Sequence, residues 1–384
     1  MKKQSNIKNI INNLPSPAWV LEENLLQNNL NILEDIQNRS GAKILLALKG
    51  YSLWASFPQI KQTLKGCCAS GLWEAKLSFN EFSKETHTYS PAFKDSEIEE
   101  IAKISNHIVF NSINQFKLFS KKALDINPKI SLGIRINPQY SSSPVEMYNP
   151  CGLYSRLGVT VKNFNKDILN LCDGFHFHAL CEESAESLEA VLNKFEENFG
   201  EYLYNLKWIN FGGGHHITKD GYDTEKLISL IVKFKEKYNV KIYLELGEAV
   251  GWESGVLVAT VLDIIDNGMN IAILDISTEA HLPDTIIMPY RVEIRDASLA
   301  NKKKYTYRLA GNSCLAGDIL GDYSFDEPLR IGDKVIIEDQ IHYTMVKATT
   351  FNGVKMPSIC ILDKDSKLQV VREFEYGDFR GRLS

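Results

Sequence analysis

Eight short apolar runs alternate with amphipathic stretches over the first two thirds of the chain, and this alternation restricts the possible folds more than any other feature. Such near-continuous apolar character is typical of strands that are buried on both faces, as in a parallel sheet. The runs begin at Lys43, Gly66, Glu85, His107, Ile130, Gly174, Lys207 and Lys241. Eight strand–helix units over roughly 200–250 residues predict an α/β fold with a TIM (β/α)8 barrel.

The stretches between the runs carry helical signals. Ile98, Ile101 and Ile104 recur at the spacing of one helix face, and acidic residues precede them, which suits the positive end of a helix dipole. Ser112 is predicted to be the N-cap of the next helix.

The pattern changes near Gly255, where strand-like segments with turn signals replace the long helical periods. These segments begin at Gly255, Ile271, Tyr305, Lys334, His342 and Ser358, with turns predicted at Asp266-Asn267-Gly268 and Asn352-Gly353. We therefore expect residues 18–254 to form the barrel and residues 255–384 to form a C-terminal all-β domain, which residues 1–17 join.

Composition excludes several classes of protein. A net charge of -5 disfavours a nucleic-acid-binding protein, and no apolar run approaches the length of a membrane span. The basic N-terminus lacks the apolar segment of a secretory signal. The 7 cysteines are odd in number and have no paired spacing, which indicates a cytoplasmic protein without a disulfide framework or structural zinc.

Function in a TIM barrel lies at the C-terminal ends of the strands, so the residues at those ends are the candidates. They are Lys49 after the first run, His176 and His178 in the sixth, Gly212, Gly213 and Gly214 after the seventh, and Glu245 and Glu248 in the eighth. Alone, each has an ordinary structural explanation as well as a functional one.

A lysine at a strand end can be a nucleophile or Schiff-base partner when it is desolvated, but more often it only extends its ammonium into solvent. Three consecutive glycines can bring backbone N–H groups close to an anion, or can form a flexible turn. Because barrels commonly bind phosphate after the seventh strand, phosphate binding is favoured for Gly212, Gly213 and Gly214.

The two histidines of the sixth run point to the same side if both lie in the strand. His176 and His178 could form half of a metal site, or one could pack while the other stacks on a flat ligand. A buried carboxylate at Glu245 needs a partner, either a protonated heterocyclic nitrogen or a neighbouring lysine. A lysine, a phosphate site, a stacking ring and a carboxylate for a pyridinium are together what pyridoxal phosphate requires.

Seven motifs extend this pattern over nearly the whole chain. They are ALKG at Lys49, FHFHAL at His178, NFGGGHHIT, ELGEA at Glu245, DISTEAHLPDTIIMPYR, GNSCLAGD and HYTMVKATTFNG. With them, the sequence resembles the fold-type III pyridoxal phosphate enzymes, and among these the carboxynorspermidine (carboxyspermidine) decarboxylases.

The resemblance implies a role for each candidate. Lys49 would bind the cofactor as a Schiff base, His178 would stack on its ring and Glu245 would pair with its ring nitrogen. Gly212, Gly213, Gly214 and Tyr343 would contact the phosphate. Cys314, contributed by the partner subunit of a homodimer, would act at the reacting carbon, and Asp318 would lie near the substrate amines.

One departure from the family pattern concerns charge. Related decarboxylases have Glu-Pro-Gly-Arg where this chain has Glu245-Leu246-Gly247-Glu248. An arginine suits a distal carboxylate or phosphate, whereas Glu248 suits a cationic amine, with Asp284 as a second anionic anchor. Alternatively, Glu248 only faces solvent at the rim of the barrel.

We therefore expect decarboxylation of carboxynorspermidine or carboxyspermidine to norspermidine or spermidine, with Cys314 or Lys49 returning the proton. A decarboxylase of diaminopimelate or another basic amino acid on the same fold is the alternative. A metal-dependent hydrolase that uses His176 and His178 and a non-catalytic carrier of the cofactor are less favoured. Neither a metal, a nucleic acid nor a membrane is an expected partner.

Overall fold

The computed structural model describes residues 5, 7, 10–143, 146–287 and 289–384. The chain divides into two compact units. Asn29–Val250 form one, called the barrel unit, and Met1–Asn28 with Gly251–Ser384 form the other, called the sheet unit. Strand β1 (Ala18–Glu22) and helix α1 (Glu23–Ser40) precede the barrel strands in the sequence.

Eight parallel strands form a closed barrel in the barrel unit. They are β2 (Lys43–Ala47), β3 (Gly66–Ala69), β4 (Glu85–Tyr89), β5 (His107–Phe110), β6 (Ser131–Arg135), β7 (Gly174–His176), β8 (Trp208–Asn210) and β9 (Lys241–Leu246). The strands pair in chain order, and β9 pairs with β2 to close the barrel. The predicted TIM barrel is confirmed.

Helices connect most of these strands. They are α2 (Phe57–Thr63), α3 (Leu72–Leu77), α4 (Asp95–Ile104), α5 (Ile113–Ile126), α6 (Ala185–Leu203) and α7 (Thr224–Tyr238), and α8 (Glu248–Gly251) follows β9. As predicted, α4 buries Ile98 and Ile101, and the Ser112 hydroxyl caps α5 by accepting from the Gln115 N–H group at 3.2 Å. The described residues between β6 and β7 contain only short 3-10 turns.

The barrel interior is packed around Trp208, which begins β8. Its ring lies against β6 and β7 at positions where each strand has a glycine. A Cβ atom on Gly174 would lie 2.1 Å from a ring carbon of Trp208, and one on Gly133 would lie 2.4 Å from the ring. The indole N–H donates to the Ser131 hydroxyl at 2.8 Å, so the ring has little freedom to move.

The sheet unit is built from β1 and eight later strands. These are β10 (Gly255–Asp266), β11 (Asn270–Leu274), β12 (Ser298–Leu299), β13 (Tyr305–Ala310), β14 (Ile319–Phe325), β15 (Lys334–Glu338), β16 (Ser358–Leu362) and β17 (Leu368–Arg372). The order is β12-β14-β13-β11-β10-β1-β16-β17, with β15 also paired to β10. Gly268 has a φ of +82° in the β10–β11 hairpin, where a turn was predicted.

The first strand belongs to the sheet unit, whereas the expected boundary assigned it to the barrel. β1 pairs antiparallel with β10 and parallel with β16. Ala18 and Val20 are buried with Val256 and Val258, and Ile7 and Leu14 pack in the same cluster. Within the segment 1–17, which was expected to join this domain, residues 1–4, 6, 8 and 9 lie outside the described residues.

Four short helices also occur in the sheet unit, where an all-β domain was expected. They are α9 (Thr278–His281), α10 (Asp284–Ile287), α11 (Tyr343–Lys347) and α12 (Tyr376–Gly381). The prediction that the segment at His342 is a strand is wrong, because it enters α11. The Met345 N–H group donates to the His342 carbonyl at 2.8 Å, and this local bond outweighs the weak strand preference of Tyr, Thr and Val.

No helix in the described ranges combines the length and the apolar character that a membrane crossing requires.

The packing of Trp208 predicts that any side chain at position 174 lowers the stability of the folded protein. Gly174→Ala should lower the thermal unfolding midpoint, because overpacking a core typically costs about 1–3 kcal/mol. Combined with Trp208→Phe, which removes the outer part of the indole, the loss should be smaller than the sum of the two single losses.

Gly200→Ala is the matched control. This glycine lies in α6, and the nearest neighbour of a Cβ atom added there, the Tyr238 hydroxyl, would be an ordinary 3.6 Å away. Alanine has the higher helix propensity, so this variant should be as stable as the wild type or slightly more stable. Equal unfolding midpoints for Gly174→Ala and the wild type would contradict the packing described above.

Candidate active site

Lys49 follows β2 in a tight turn. The N–H groups of Gly50 and Tyr51 both donate to the Ala47 carbonyl at 3.0 Å, and the Lys49 side chain is exposed while its neighbours are buried. The loop after β9 passes close to this turn. A Cβ atom on Gly247 would lie 3.0 Å from the Gly50 Cα atom, so the approach requires a residue without a bulky side chain.

Glu245 lies on β9, opposite Leu45 of β2, and its carboxylate is held by two side chains. Asn210 Nδ2 donates to Oε1 at 2.7 Å, and His176 Nε2 lies 3.5 Å from Oε2. Burial opposes ionisation of this carboxyl group, but His176, Lys49 and the Asn210 hydrogen bond outweigh it and lower the pKa of Glu245. The site therefore contains an ionised carboxylate at neutral pH.

His178 lies just beyond the end of β7, so the two histidines do not share a strand as expected. The Gly213 N–H group donates to His178 Nδ1 at 3.0 Å, and Arg135 donates to its carbonyl at 3.2 Å. Burial lowers the pKa of His178 well below its usual range, and the charges of Lys49 and Arg135 lower it further. The imidazole is therefore neutral at physiological pH.

The hydrogen bond from Gly213 fixes the tautomer of this ring. Nδ1 must provide a lone pair, so the proton is on Nε2. One potential ligand atom each from His176, His178 and Glu245 lies within 4.8 Å of the others. Metal binding by Nε2 would move the proton to Nδ1, where it would meet the Gly213 N–H group. The geometry therefore disfavours the metal site considered for these histidines.

A second group of possible metal ligands lies at the opposite end of the barrel. Glu85, His87 and His107 also place atoms within 4.8 Å of one another, but Lys43 already pairs with the Glu85 carboxylate. The two imidazoles stack with centroids 3.8 Å apart and an interplanar angle of 10°. Stacked parallel rings cannot both direct in-plane lone pairs at one ion, so we interpret this group as an internal polar cluster.

The glycine loop after β8 is shaped by backbone geometry that favours glycine. Gly212 and Gly214 have φ values of +70° and +83°, and a Cβ atom on Gly213 would lie 2.2 Å from the Glu245 carbonyl oxygen. The Gly212 and Gly213 N–H groups donate to Asn210 Oδ1 at 2.8 Å and to His178. For the Gly214 N–H group, no hydrogen bond is found within the described ranges. Phosphate binding by this loop stays a prediction.

Two predicted site residues of the sheet unit lie in or near the GNSCLAGD segment. Cys314 is exposed, and its N–H group donates to Asn352 Oδ1 at 2.6 Å. Asp318 is buried, and its carboxylate accepts from the N–H groups of Thr278 at 2.6 Å and Ser313 at 3.0 Å. Asp318 therefore holds the backbone next to Cys314, a structural role that the sequence did not predict.

The other two predicted residues of the sheet unit share a lysine. Asp284, at the start of α10, forms an ion pair with Lys347. The Lys347 ammonium also lies 5.1 Å from the ring centroid of Tyr343, which begins α11. Asp284 therefore has a compensating cation, which weakens its predicted role as an anionic anchor.

Glu248 belongs to a group at the C-terminal end of the barrel that the sequence did not predict. Glu182, His216 and Glu248 follow β7, β8 and β9, and each places one polar atom within 4.8 Å of the others. Glu248 is half-buried, in contrast to the alternative in which it simply faces solvent. Two carboxylates and an imidazole thus converge above three consecutive strands.

Asn210 and Arg135 were also missed. Each is a polar residue that ends a buried strand, and each hydrogen-bonds to a predicted site residue, Glu245 and His178 respectively. A polar residue as the last member of an apolar run was the available signal.

Comparison with known proteins now assigns the family. Residues 31–340 match the family described as pyridoxal-dependent decarboxylase, C-terminal sheet domain. The chain belongs to the pyridoxal-dependent decarboxylases. This confirms the resemblance and the predicted cofactor, pyridoxal phosphate.

Two curated relatives cover almost the whole chain. Carboxynorspermidine/carboxyspermidine decarboxylase of Campylobacter jejuni is 54% identical over 95% of this chain and 98% of its own. Carboxyaminopropylagmatine decarboxylase of Synechocystis is 43% identical over 97% of this chain and 96% of its own.

A solved structure shows the same architecture. The crystal structure of the Campylobacter jejuni carboxynorspermidine decarboxylase complexed with norspermidine is similar to this chain with a TM-score of 0.91 and 52% identity. The match covers 96% of this chain and 100% of that one.

The barrel end fits the cofactor of this decarboxylase family. An ionised carboxylate at Glu245 suits a protonated ring nitrogen, and a neutral imidazole at His178 suits packing on a cationic ring. The exposed Lys49 is available for a covalent bond to an aldehyde.

This assignment predicts that Lys49 is the only site of covalent cofactor attachment. Borohydride should fix pyridoxal phosphate to the wild-type protein at the peptide that contains Lys49, as measured by mass spectrometry. Lys49→Ala should not be labelled, whereas the control Lys65→Ala, altered at an exposed lysine, should be labelled normally. Reducible labelling of Lys49→Ala, or stoichiometric zinc without the cofactor, would contradict the assignment.

Proposed function

We propose that this chain decarboxylates carboxynorspermidine or carboxyspermidine and so produces norspermidine or spermidine for polyamine biosynthesis. The observation that carries the proposal is the convergence of Glu182 and Glu248 at the C-terminal end of the barrel that also bears Lys49. The 54% identical relative with this named activity supports it.

The chemistry requires an electron sink, which pyridoxal phosphate supplies when it is bound. In this proposal Lys49 would hold the cofactor, His178 would pack on its ring, and the loop Gly212–Gly214 with Tyr343 would bind its phosphate. The Glu245 carboxylate would keep a proton on the ring nitrogen, because a nearby negative charge favours the protonated form.

A proton must return to the carbon that loses its carboxylate. We assign this transfer to the Cys314 thiol or the Lys49 ammonium. Cys314 is exposed, and the hydrogen bonds of its own backbone and of Asp318 hold the segment that carries it. We further propose a homodimer in which Cys314 reaches the site of the partner subunit.

The substrate class follows from charge at the barrel end. The amines of a carboxylated polyamine would be attracted by Glu248 and Glu182, whereas the distal carboxylate of diaminopimelate would be repelled. Asp284 and Asp318 contribute less in this proposal, because Lys347 and two backbone N–H groups already compensate their charges.

A second candidate substrate is carboxyaminopropylagmatine. The 43% identical Synechocystis relative carries this name, and a guanidinium tail would also suit two carboxylates. We place the reaction in the cytoplasm, in keeping with seven free thiols.

Substrate choice should depend on Glu248. Release of CO2 should be fastest from a carboxylated polyamine. Glu248→Gln should reduce kcat/KM for that substrate about 10-fold to 100-fold, because this factor corresponds to the free energy of one hydrogen bond to a charged group. The effect should lie mainly in KM, because the tail is bound equally before and during reaction.

Glu236→Gln, an exposed position on α7, is the control and should leave both constants unchanged. A wild-type preference for diaminopimelate, or an unaltered KM in Glu248→Gln, would refute the charge argument.

A shared site predicts complementation between two inactive variants. If the Cys314 thiol is the group that returns the proton, Lys49→Ala and Cys314→Ala should each be nearly inactive alone. Mixed and reassociated in equal amounts, they should recover up to about a quarter of wild-type activity, because half of the dimers are mixed and each has one complete site.

The control mixture combines Lys49→Ala with the double variant Lys49→Ala/Cys314→Ala, which has no complete site in any dimer. Undiminished turnover of Cys314→Ala alone would instead show that the thiol is dispensable.

A further inference from the structure

We propose that Asn210 is a positioning residue that couples the Glu245 carboxylate to the glycine loop and thereby sets cofactor affinity. Asn210 is fully buried at the end of β8. Its Nδ2 donates to Glu245 Oε1 at 2.7 Å, and its Oδ1 accepts from the Gly212 N–H group at 2.8 Å.

A third hydrogen bond closes these contacts into a ring. The Glu245 N–H group donates to the Gly212 carbonyl at 2.8 Å. Glu245 is therefore bound to the glycine loop through its backbone directly and through its side chain by way of Asn210. Movement of the loop and movement of the carboxylate are coupled by this ring.

The orientation of the amide follows from its partners. Gly212 presents an N–H group, so the Asn210 oxygen must face it, and the NH2 group must then face Glu245. A buried carboxylate needs such a donor. Leucine at this position would satisfy neither partner, and an ionised aspartate would satisfy only Gly212.

Asn210 binds one carboxylate oxygen, while His176 lies 3.5 Å from the other. Contacts on both oxygens restrict the rotation of the carboxylate, so that it can face one fixed direction. The family's cofactor needs a partner for its ring nitrogen and a site for its phosphate. The three hydrogen bonds among Asn210, Gly212 and Glu245 would keep the carboxylate and the glycine loop at a fixed distance from each other, so that both could bind the cofactor.

This inference rests on the cofactor site of the proposed function and not on the identity of the amine that is decarboxylated. The test therefore measures binding of pyridoxal phosphate to the protein freed of cofactor, without substrate. A wrong substrate assignment would leave its result unchanged.

Two substitutions separate the two hydrogen bonds. Asn210→Asp keeps the shape and the acceptor for Gly212, but it donates to Glu245 only while its carboxyl group is protonated. Asn210→Leu removes both bonds. Asn137→Asp is the matched control, because buried Asn137 also accepts from a backbone N–H group two residues later, that of Gln139 at 2.8 Å, but donates to the Leu157 carbonyl.

The charged and titratable groups that influence Glu245 are known on each side. They are His176 on β7, His178 just beyond β7, Lys49 after β2, Cys68 on β3 and Tyr89 on β4. Burial lowers the pKa of His176 and His178 and raises the pKa of Cys68 and Tyr89 away from neutrality. A new pH dependence near neutrality would therefore belong to the carboxyl pair at positions 210 and 245.

The sign of the effect follows from this pair. Two buried carboxyl groups in contact share a proton, which raises the pKa of one of them. At the acidic end of a range of about pH 6 to 9, the protonated group replaces the amide donor, and Asn210→Asp should bind the cofactor nearly as tightly as the wild type. As the pH rises and this proton is lost, the ratio of the variant Kd to the wild-type Kd should rise about 10-fold or more.

Asn210→Leu should bind pyridoxal phosphate at least about 10-fold more weakly than the wild type at every pH. Asn137→Asp should have the same Kd as the wild type. Absorbance titration with pyridoxal phosphate gives the Kd, and thermal unfolding of each protein checks its fold. If Asn210→Leu does not fold, the pH-dependent ratio for Asn210→Asp still decides. A ratio that does not change with pH, or the same change in Asn137→Asp, would overturn the proposal.

Discussion

The pairing of the first barrel strand with the last is the constraint on which the rest of the site depends. The register of β2 and β9 places Leu45 opposite Glu245 and Leu46 opposite Leu246. The chain therefore leaves both strands side by side, with Lys49 in the turn after β2 and Glu248 at the start of α8, after the loop that follows β9. The backbones at Gly50 and Gly247 come within contact distance, so the separation of these loops is fixed by the absence of side chains between them.

Around this frame, burial and neighbouring groups set the protonation states of Glu245 and His178. Burial alone would neutralise Glu245, and it stays ionised only because Asn210, His176 and Lys49 favour its charge. Burial likewise keeps His178 neutral, and Gly213 selects its tautomer. The carboxylate and the imidazole are thus both deprotonated at neutral pH, one as an anion held by its partners and the other as a ring kept neutral by burial. The same bonds hold the loop in place, so fold and electrostatics cannot be altered separately here.

The sequence predicted those parts of the molecule that depend on pattern alone. Apolar runs located the barrel strands, and the strand ends then gave Lys49, His178 and Glu245. The features that the sequence did not predict depend on which strands lie side by side and in what register. The contact of Asn210 with Glu245 crosses from β8 to β9. The pairing of β1 with β10 and β16 joins residues that are far apart in the sequence. The alternation of apolar residues in one strand does not determine which residue of a neighbouring strand lies opposite a given position. The helix at Tyr343 was missed for a related reason, since strand preference is weak beside local hydrogen bonds.

The partners of each acidic residue indicate which of them can bind the cationic tail of a substrate. From the sequence, Glu248 was predicted to bind a cationic amine with Asp284 as a second anionic anchor, and the family resemblance implied that Asp318 lies near the substrate amines. In the structure Asp284 is paired with Lys347, and both oxygens of Asp318 accept backbone N–H groups. Glu248 lies in a group with Glu182 and His216, in which each residue places one polar atom within 4.8 Å of the others. Two ionised carboxylates at such a distance would repel each other, and a cation between them would relieve that repulsion. Such a pair gains more from an ammonium or guanidinium than an isolated carboxylate does, and it penalises an anionic tail twice.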